Sequence, residues 1–202
     1  ILSILLYAVM KRLKYLFCSL LLMAFLLIYQ TYENHKENSQ HKFIVYNTPK
    51  SSAMDFISGK RNVFIADSSL INNKSRMSFH IYPNWWCSGM AEQKILYTKE
   101  TKHYCNNNLC FTRDFVKFFE KKIATISSKP KKCRIKPKLD YIVISGNPKL
   151  KIEDLSAAFE FKKIIIDSSN SRWKSEKWKT ECADLKINCY SVLESGAYVE
   201  EI

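Results

Sequence analysis

Apolar residues fall along this chain in two textures. Residues 1–30 are nearly continuous hydrocarbon, ILSILLYAVM and YLFCSLLLMAFLLIYQ, interrupted only by the basic patch KRLK. From residue 42 onward, short apolar runs alternate with polar turns. KFIVYN, AMDFI and NVFIAD read as three short strands, the last two forming a hairpin around Ser58-Gly59-Lys60. FVKFF and IATI, within 115–126, read as a second hairpin. YIVIS (141–145) and KKIIID (162–167) are continuous apolar runs, the mark of buried strands. Between them, residues 152–160 predict a short helix with Leu155 and Phe159 at i, i+4. Residues 172–187 predict a helix capped by Asn170 or Ser171, with Trp178, Cys182 and Leu185 on one face. INCYSV and GAYVEE close the chain as strands. Hairpins first and alternating strands and helices later predict an α/β layered fold with mixed strand direction.

The first thirty residues are a different material. From Leu13 to about Gln30 the apolar run reaches the minimum length that spans a bilayer. Lys14 can snorkel, and Tyr15 and Tyr29 stand where interfacial aromatics belong. A cleaved signal peptide would show a basic patch before its apolar stretch. Here ten apolar residues precede that patch, and no A-x-A site follows. The expectation is the end of a membrane domain at 1–30: a partial helix, a cytoplasmic loop with Lys11, Arg12 and Lys14, and a last transmembrane helix. Residues 31–41, TYENHKENSQH, read as a polar linker, which places 42–202 on the non-cytoplasmic side.

Charge then suggests a partner. The chain carries a formal +13, and residues 31–202 alone hold 29 basic against 19 acidic residues. Such a surplus suits an anionic partner, nucleic acid or a lipid surface, although basic solvated faces are also common. The surplus is concentrated. KPKKCRIKPK (129–138) has six basic residues in ten, among them Lys131, Lys132, Arg134 and Lys136. SRWKSEKWK (171–179) interleaves Trp173 and Trp178 with Arg172, Lys174, Lys177 and Lys179. Basic groups neutralise phosphates, and an exposed Trp stacks on single-stranded bases. Trp173 and Trp178 are five residues apart, roughly 140° round a helix, so one can face the core and the other solvent. Trp85-Trp86 reads as core.

Catalytic chemistry is harder to find. With four Gly in all, no phosphate-cradling G-x-G-x-x-G or G-x-x-x-x-G-K-[ST] pattern exists. His occurs only at 35, 41, 80 and 103, and no G-x-S-x-G elbow is present. Cys87, after the Trp pair, reads as a packed thiol. His103, Cys105 and Cys110 form the one cluster, H-x-C-x4-C, but the spacing is not a standard finger and no second ligand pair follows. No metal or cofactor is expected. Cys105 with Cys110, and Cys182 with Cys189, are near enough in sequence to pair in an oxidising compartment; free thiols are the alternative.

FIVYNTPKSSAMDFISGKRNVFIADSS, LDYIVISGNPKLKIEDL and KKIIIDSSNSRWKSEKWKTECADLKINCYSVLESGAYV together resemble the C-terminal part of ComEC-type competence proteins, the inner-membrane channels for DNA uptake. The resemblance covers about residues 42–202. It implies a metallo-β-lactamase-like layered sandwich, here degenerate and abbreviated, with a mixed sheet, preceded by a transmembrane helix. Active members carry S-H-x-H-x-D-H-x-G-G-L after the strand that matches 141–144. On this chain Ser145, Ile152 and Leu155 match, but the ligand positions hold Gly146, Pro148, Leu150 and Lys151. Asp67 and Asp167 end strands as the fold's carboxylates would. The resemblance therefore implies a non-catalytic domain that guides DNA or scaffolds the channel. Its implied partners are DNA without sequence preference, the membrane-embedded competence domain of the same protein, and the lipid bilayer. The rival readings are a nuclease acting on the non-transported strand and a self-association module without DNA contact.

Overall fold

The computed structural model describes residues 13–98, 100–130 and 135–202. The chain divides into two units, residues 1–40 and 41–202. In the first, helix α1 runs over Leu13–Ser39, 27 residues. Its segment Leu16–Ser39 is long and apolar enough to cross a membrane, with none of it buried within the protein. The polar stretch after Gln30 continues this helix rather than forming a linker up to residue 41. TYENHKENS contains neither Gly nor Pro, and polarity alone does not end a helix. Thr31 also bonds back, Oγ1 donating to the Leu27 carbonyl at 2.8 Å. The basic loop residues Lys11 and Arg12 lie outside the described residues.

The second unit holds two mixed sheets. One comprises β1 (His41–Val45), β2 (Ala53–Ser58), β3 (Arg61–Ala66), β4 (Glu92–Tyr97) and, far along the chain, β12 (Tyr198–Glu201), in the order β12-β1-β2-β3-β4. The other comprises β5 (His103–Cys105), β6 (Leu109–Thr112), β7 (Phe115–Phe118), β8 (Lys121–Ile126), β9 (Lys138–Ile144), β10 (Glu160–Ile166) and β11 (Cys189–Ser191). It is antiparallel from β5 to β8 and parallel from β8 through β9 and β10 to β11. The second hairpin falls where the sequence places it. β4, β5 and β6 were not foreseen. β4 is mostly solvated, β5 is only three residues long, and β6 is four residues that bury Leu109 and Phe111.

Short helices α2 (Ser68–Ile71), α3 (Lys74–His80) and α4 (Tyr82–Cys87) carry the chain from β3 to β4. Helix α5 (Ile152–Ala158) links β9 to β10, α6 (Arg172–Asp184) links β10 to β11, and α7 (Val192–Ser195) precedes β12. Both long-range helix expectations overran their ends. Phe159 is already extended, at φ −133° and ψ 155°, and leads into β10. Leu185 caps α6 and remains exposed rather than joining Trp178 and Cys182 in the core.

Three cores follow from this arrangement. Phe43, Phe56, Val63, Phe111, Phe118 and Val143 pack between the sheets. Ile142, Ile144, Leu150, Leu155, Trp178 and Cys182 fill the space under α5 and α6. Phe64, Leu70, Met77, Ile81 and Trp85 do the same under α2–α4. The layers are therefore helices, sheet, sheet, helices. Alternation on the central strands explains it: each strand buries both faces, one toward the other sheet and one toward helices. Of the Trp pair only Trp85 is core. Trp86, on the next position of α4, is 75% exposed, and Cys87 is exposed as well, so neither packs as the sequence implies.

Inside the first sheet, Asp55 is fully buried and accepts from Trp85 Nε1 at 2.7 Å, Asn62 Nδ2 at 2.8 Å and the Tyr46 hydroxyl at 3.1 Å. Burial pushes its carboxyl up to about 7, with those donors pulling the other way. The network ties α4 to β1, β2 and β3.

Candidate nucleic-acid interface

The carboxyl ends of β3, β9 and β10 meet at one edge of the two sheets, where α/β proteins place their sites. The chain leaves β9 at Ser145, and the loop to Lys151 is fastened to the segment after β10. Gly146 N donates to Ser169 Oγ at 2.7 Å, Asn147 N to Asn170 Oδ1 at 2.9 Å, and Ser171 N returns a bond to Asn147 Oδ1 at 2.8 Å. Asn170 does not cap α6; its Nδ2 donates to the Ile144 carbonyl at 2.6 Å, locking the end of β9. Ser171 is the N-cap residue, without a side-chain cap bond.

Along this path the side chains at 146, 148 and 150 offer no ligand atoms. Gly146 has φ +73° and Asn147 φ +56°, successive left-handed residues. A side chain at 146 would be strained there. Pro148 and Leu150 are buried, and Leu150 belongs to the core under α5 and α6. Trp178 Nε1 donates to the Leu150 carbonyl at 3.2 Å. Lys151 precedes α5 and is exposed; its N–H donates to Asp154 Oδ2 at 3.0 Å. Asp67 accepts from Ser52 N at 2.8 Å, and Asp167 accepts from Ser169 N at 3.0 Å. Burial pushes the Asp167 carboxyl up to about 7, and the neighbouring Asp67 charge adds to the rise. Asp67 Oδ2 and Asp167 Oδ1 serve the fold's internal bonding, while Asp167 Oδ2 is buried without a hydrogen-bond partner.

What the loop does form is one wall of a cavity of about 550 Å³, facing the first turns of α6. Five lysines line it, Lys129, Lys149, Lys151, Lys174 and Lys177, against two carboxylates, Glu153 and Asp154. Lys129 pairs with Asp154 at 3.0 Å. Lys174 Nζ donates to the carbonyls of Asn147 at 2.5 Å and Pro148 at 3.0 Å, pinning the loop to α6. Lys177 Nζ lies 5.7 Å from the Trp173 ring centroid. Trp173 is 68% exposed at the cavity's rim while Trp178 is buried beneath it, the division that the five-residue spacing predicts. An exposed indole beside clustered ammonium groups can stack a base and neutralise its phosphate.

The basic residues singled out from sequence do not all converge here. Trp173, Lys174 and Lys177 do, although Lys177 also lies 3.9 Å from Glu181 Oε1 one turn along the helix. Arg172 instead pairs with Glu176 along the helix at 3.1 Å, and Lys179 pairs with Glu194. Lys136 donates to the Ser156 carbonyl at 2.6 Å and lines a different cavity, with Lys162 and Lys186. Lys131, Lys132 and Arg134 lie outside the described residues. Sequence reasoning missed Lys129, Lys149 and Lys151 as members of the cavity. The alternation of Lys149 and Lys151 around the inward Leu150 was the available signal.

The cysteines divide as well. Cys105 and Cys110 face each other across β5 and β6 and form a disulfide. Cys182 and Cys189 are free thiols close enough to hydrogen-bond, and the Cys189 contact raises the Cys182 thiol.

Residues 43–202 fit the family model of the ComEC C-terminal domain. No curated protein and no solved structure matches the chain.

Proposed function

The chain belongs to the ComEC C-terminal domain family, a family of membrane proteins of competence DNA uptake, and on that premise we propose that this domain handles DNA without cutting it. The four layers of helices and sheets support a metallo-β-lactamase-like frame whose catalytic loop has been turned to binding. The observation that carries the reading is the cavity itself. The loop that holds ligands in active members here contributes Lys149 and Lys151 to a basic pocket edged by Trp173. A dication would meet five ammonium groups against two carboxylates and no imidazole, and like charges repel. A DNA strand would meet neutralising groups and a stacking surface. Few contacts give weak, salt-sensitive binding, which suits a strand that must keep moving. We place the domain on the non-cytoplasmic side of the inner membrane, at the mouth of the channel formed by the membrane domain. α1 would tether it there.

Fluorescence anisotropy of a labelled oligonucleotide over a salt series tests this, beside a nuclease assay in Mg²⁺, Mn²⁺ and Zn²⁺. Binding that weakens with salt and leaves the oligonucleotide intact is the expected result. Absence of binding at low salt favours the scaffold reading. Cleavage that chelator abolishes favours the nuclease reading.

A further inference from the structure

The β5–β6 hairpin carries chemistry that DNA handling does not use. Its register pairs His103 with Thr112, Tyr104 with Phe111 and Cys105 with Cys110. Side chains alternate along a strand, so His103 and Cys105 share one face, and Cys110 joins them from across the ladder. Leu109 and Phe111 are buried in the core between the sheets, with Tyr104 half-buried against it. The opposite, solvent-facing side therefore gathers one imidazole and two sulfurs. Their ligand atoms all lie within 4.8 Å of one another. Asn106 holds the turn that brings the strands together, its Oδ1 accepting from Leu109 N at 2.7 Å and Asn108 N at 3.0 Å.

We propose that the reduced hairpin is a thiophilic metal site, taking one Zn²⁺ on His103, Cys105 and Cys110, and that formation of the Cys105–Cys110 disulfide closes it. Sequence spacing argues against a metal here because H-x-C-x4-C is no standard finger. The spacing rule describes ligands close together along the chain, whereas here antiparallel pairing brings His103 and Cys105 of one strand against Cys110 of the next. Zinc–sulfur bonds of about 2.3 Å and zinc–nitrogen bonds of about 2.0 Å require ligand atoms roughly 3.3–3.8 Å apart. Side-chain rotation on an exposed hairpin can reach that spacing from the present arrangement once the sulfurs separate. Three protein ligands leave a fourth position for water. Two thiolates balance the charge of the dication.

The two states exclude each other because they use the same sulfurs. A dithiol reductant supplies two electrons and two protons; the Cys105–Cys110 S–S bond breaks, two thiols form, and the reductant leaves as its own disulfide. Zn²⁺ then displaces the two thiol protons and takes both thiolates together with the imidazole. Oxidation by a small-molecule disulfide runs the exchange backward and releases the ion. Cys105 is exposed and Cys110 half-buried, so both reagents have access.

The test uses the full chain in detergent with Co²⁺ as the probe. The reduced protein is expected to bind one equivalent, with thiolate-to-cobalt charge transfer and the visible bands of a tetrahedral ion. The oxidised protein is expected to show neither. The double replacement Cys105→Ser, Cys110→Ser should lose the charge-transfer band, and His103→Ala should shift the visible bands. Failure of the reduced protein to bind overturns the proposal, as does an equal band in the oxidised protein or the double variant. The oxidised wild type makes the comparison without any mutation. Circular dichroism checks that the variants remain folded. The proposal is independent of DNA binding, and neither result bears on the other.

Discussion

The Trp178 indole donates its Nε1–H to the carbonyl of Leu150, 3.2 Å away and 28 residues earlier in the chain. That bond fixes the loop between β9 and α5. It also orients Leu150 inward, against Ile142, Leu155 and Cys182. The loop has been given to the core, and its flanking lysines to the surface.

Replacing Trp178 should therefore be severe. Trp178→Ala is expected to cost about 3–5 kcal/mol, as large core truncations do. Trp178→Phe keeps most of the volume but leaves the Leu150 carbonyl unpaired, an expected loss of about 1–3 kcal/mol. Denaturant unfolding of the two variants checks the order and the size. A phenylalanine variant as unstable as the alanine one would show that the hydrogen bond dominates.

The cavity lysines and Trp173 should affect DNA differently. Replacing Lys149, Lys151 and Lys177 by Ala is expected to lower the salt slope for single strands by up to about 2, since each phosphate contact contributes about 0.7. Trp173→Ala should weaken single-strand binding by roughly 1–3 kcal/mol and leave duplex binding nearly unchanged. Arg172→Ala and Lys179→Ala, both held in ion pairs, should change either affinity little. Anisotropy with single- and double-stranded oligonucleotides separates these outcomes.

Stability should fall as the solution goes from acidic to neutral. Burial raises Asp55 and Asp167 to about 7 in the folded protein, while the unfolded chain titrates them near the ordinary carboxylate range. Between those values the folded state binds more protons than the unfolded one. The contribution is complete below the unfolded pKa and lost as pH rises through the folded one. Thermal midpoints are expected to drop between about pH 4 and about pH 7, most steeply midway between the two values, and to level off above that. Asp55→Asn should lower stability overall, because one of the two acceptor oxygens shared by Trp85, Tyr46 and Asn62 becomes an NH2 donor, and should also flatten this dependence. A flat profile in the wild type would show that the donors around Asp55 and Asp167 keep both ionised.

Cys87 reports on sidedness. It is exposed on α4 and free. In a variant that retains it as the one reactive thiol outside α1, an impermeant maleimide is expected to label spheroplasts without lysis. Labelling only after lysis would put the domain in the cytoplasm and reverse the topology proposed for α1.

The strands β1, β2, β3, β9 and β10 are legible in the sequence because each is a run of apolar and β-branched residues bounded by turns. So is the amphipathic split of α6, where Trp173 and Trp178 take different sides. That Gly146, Pro148 and Leu150 carry no side chain able to ligate a metal is equally a property of the sequence. The end of α1 was misplaced because polarity is a weak stop signal when no Gly or Pro accompanies it. Strand β4 escaped notice because the edge of a sheet needs few apolar residues: its pattern leaves only Leu96 buried. Which cations gather could be decided only in three dimensions. Lys129 reaches the cavity from the segment after β8, Lys149 and Lys151 from the loop after β9, and Lys174 and Lys177 from α6. Arg172 and Lys179, neighbours in sequence, turn toward Glu176 and Glu194 instead. Charge along a chain is one-dimensional, but the potential a phosphate meets is a sum over space. That sum is set by which strand ends the parallel pairing of β8, β9 and β10 brings together.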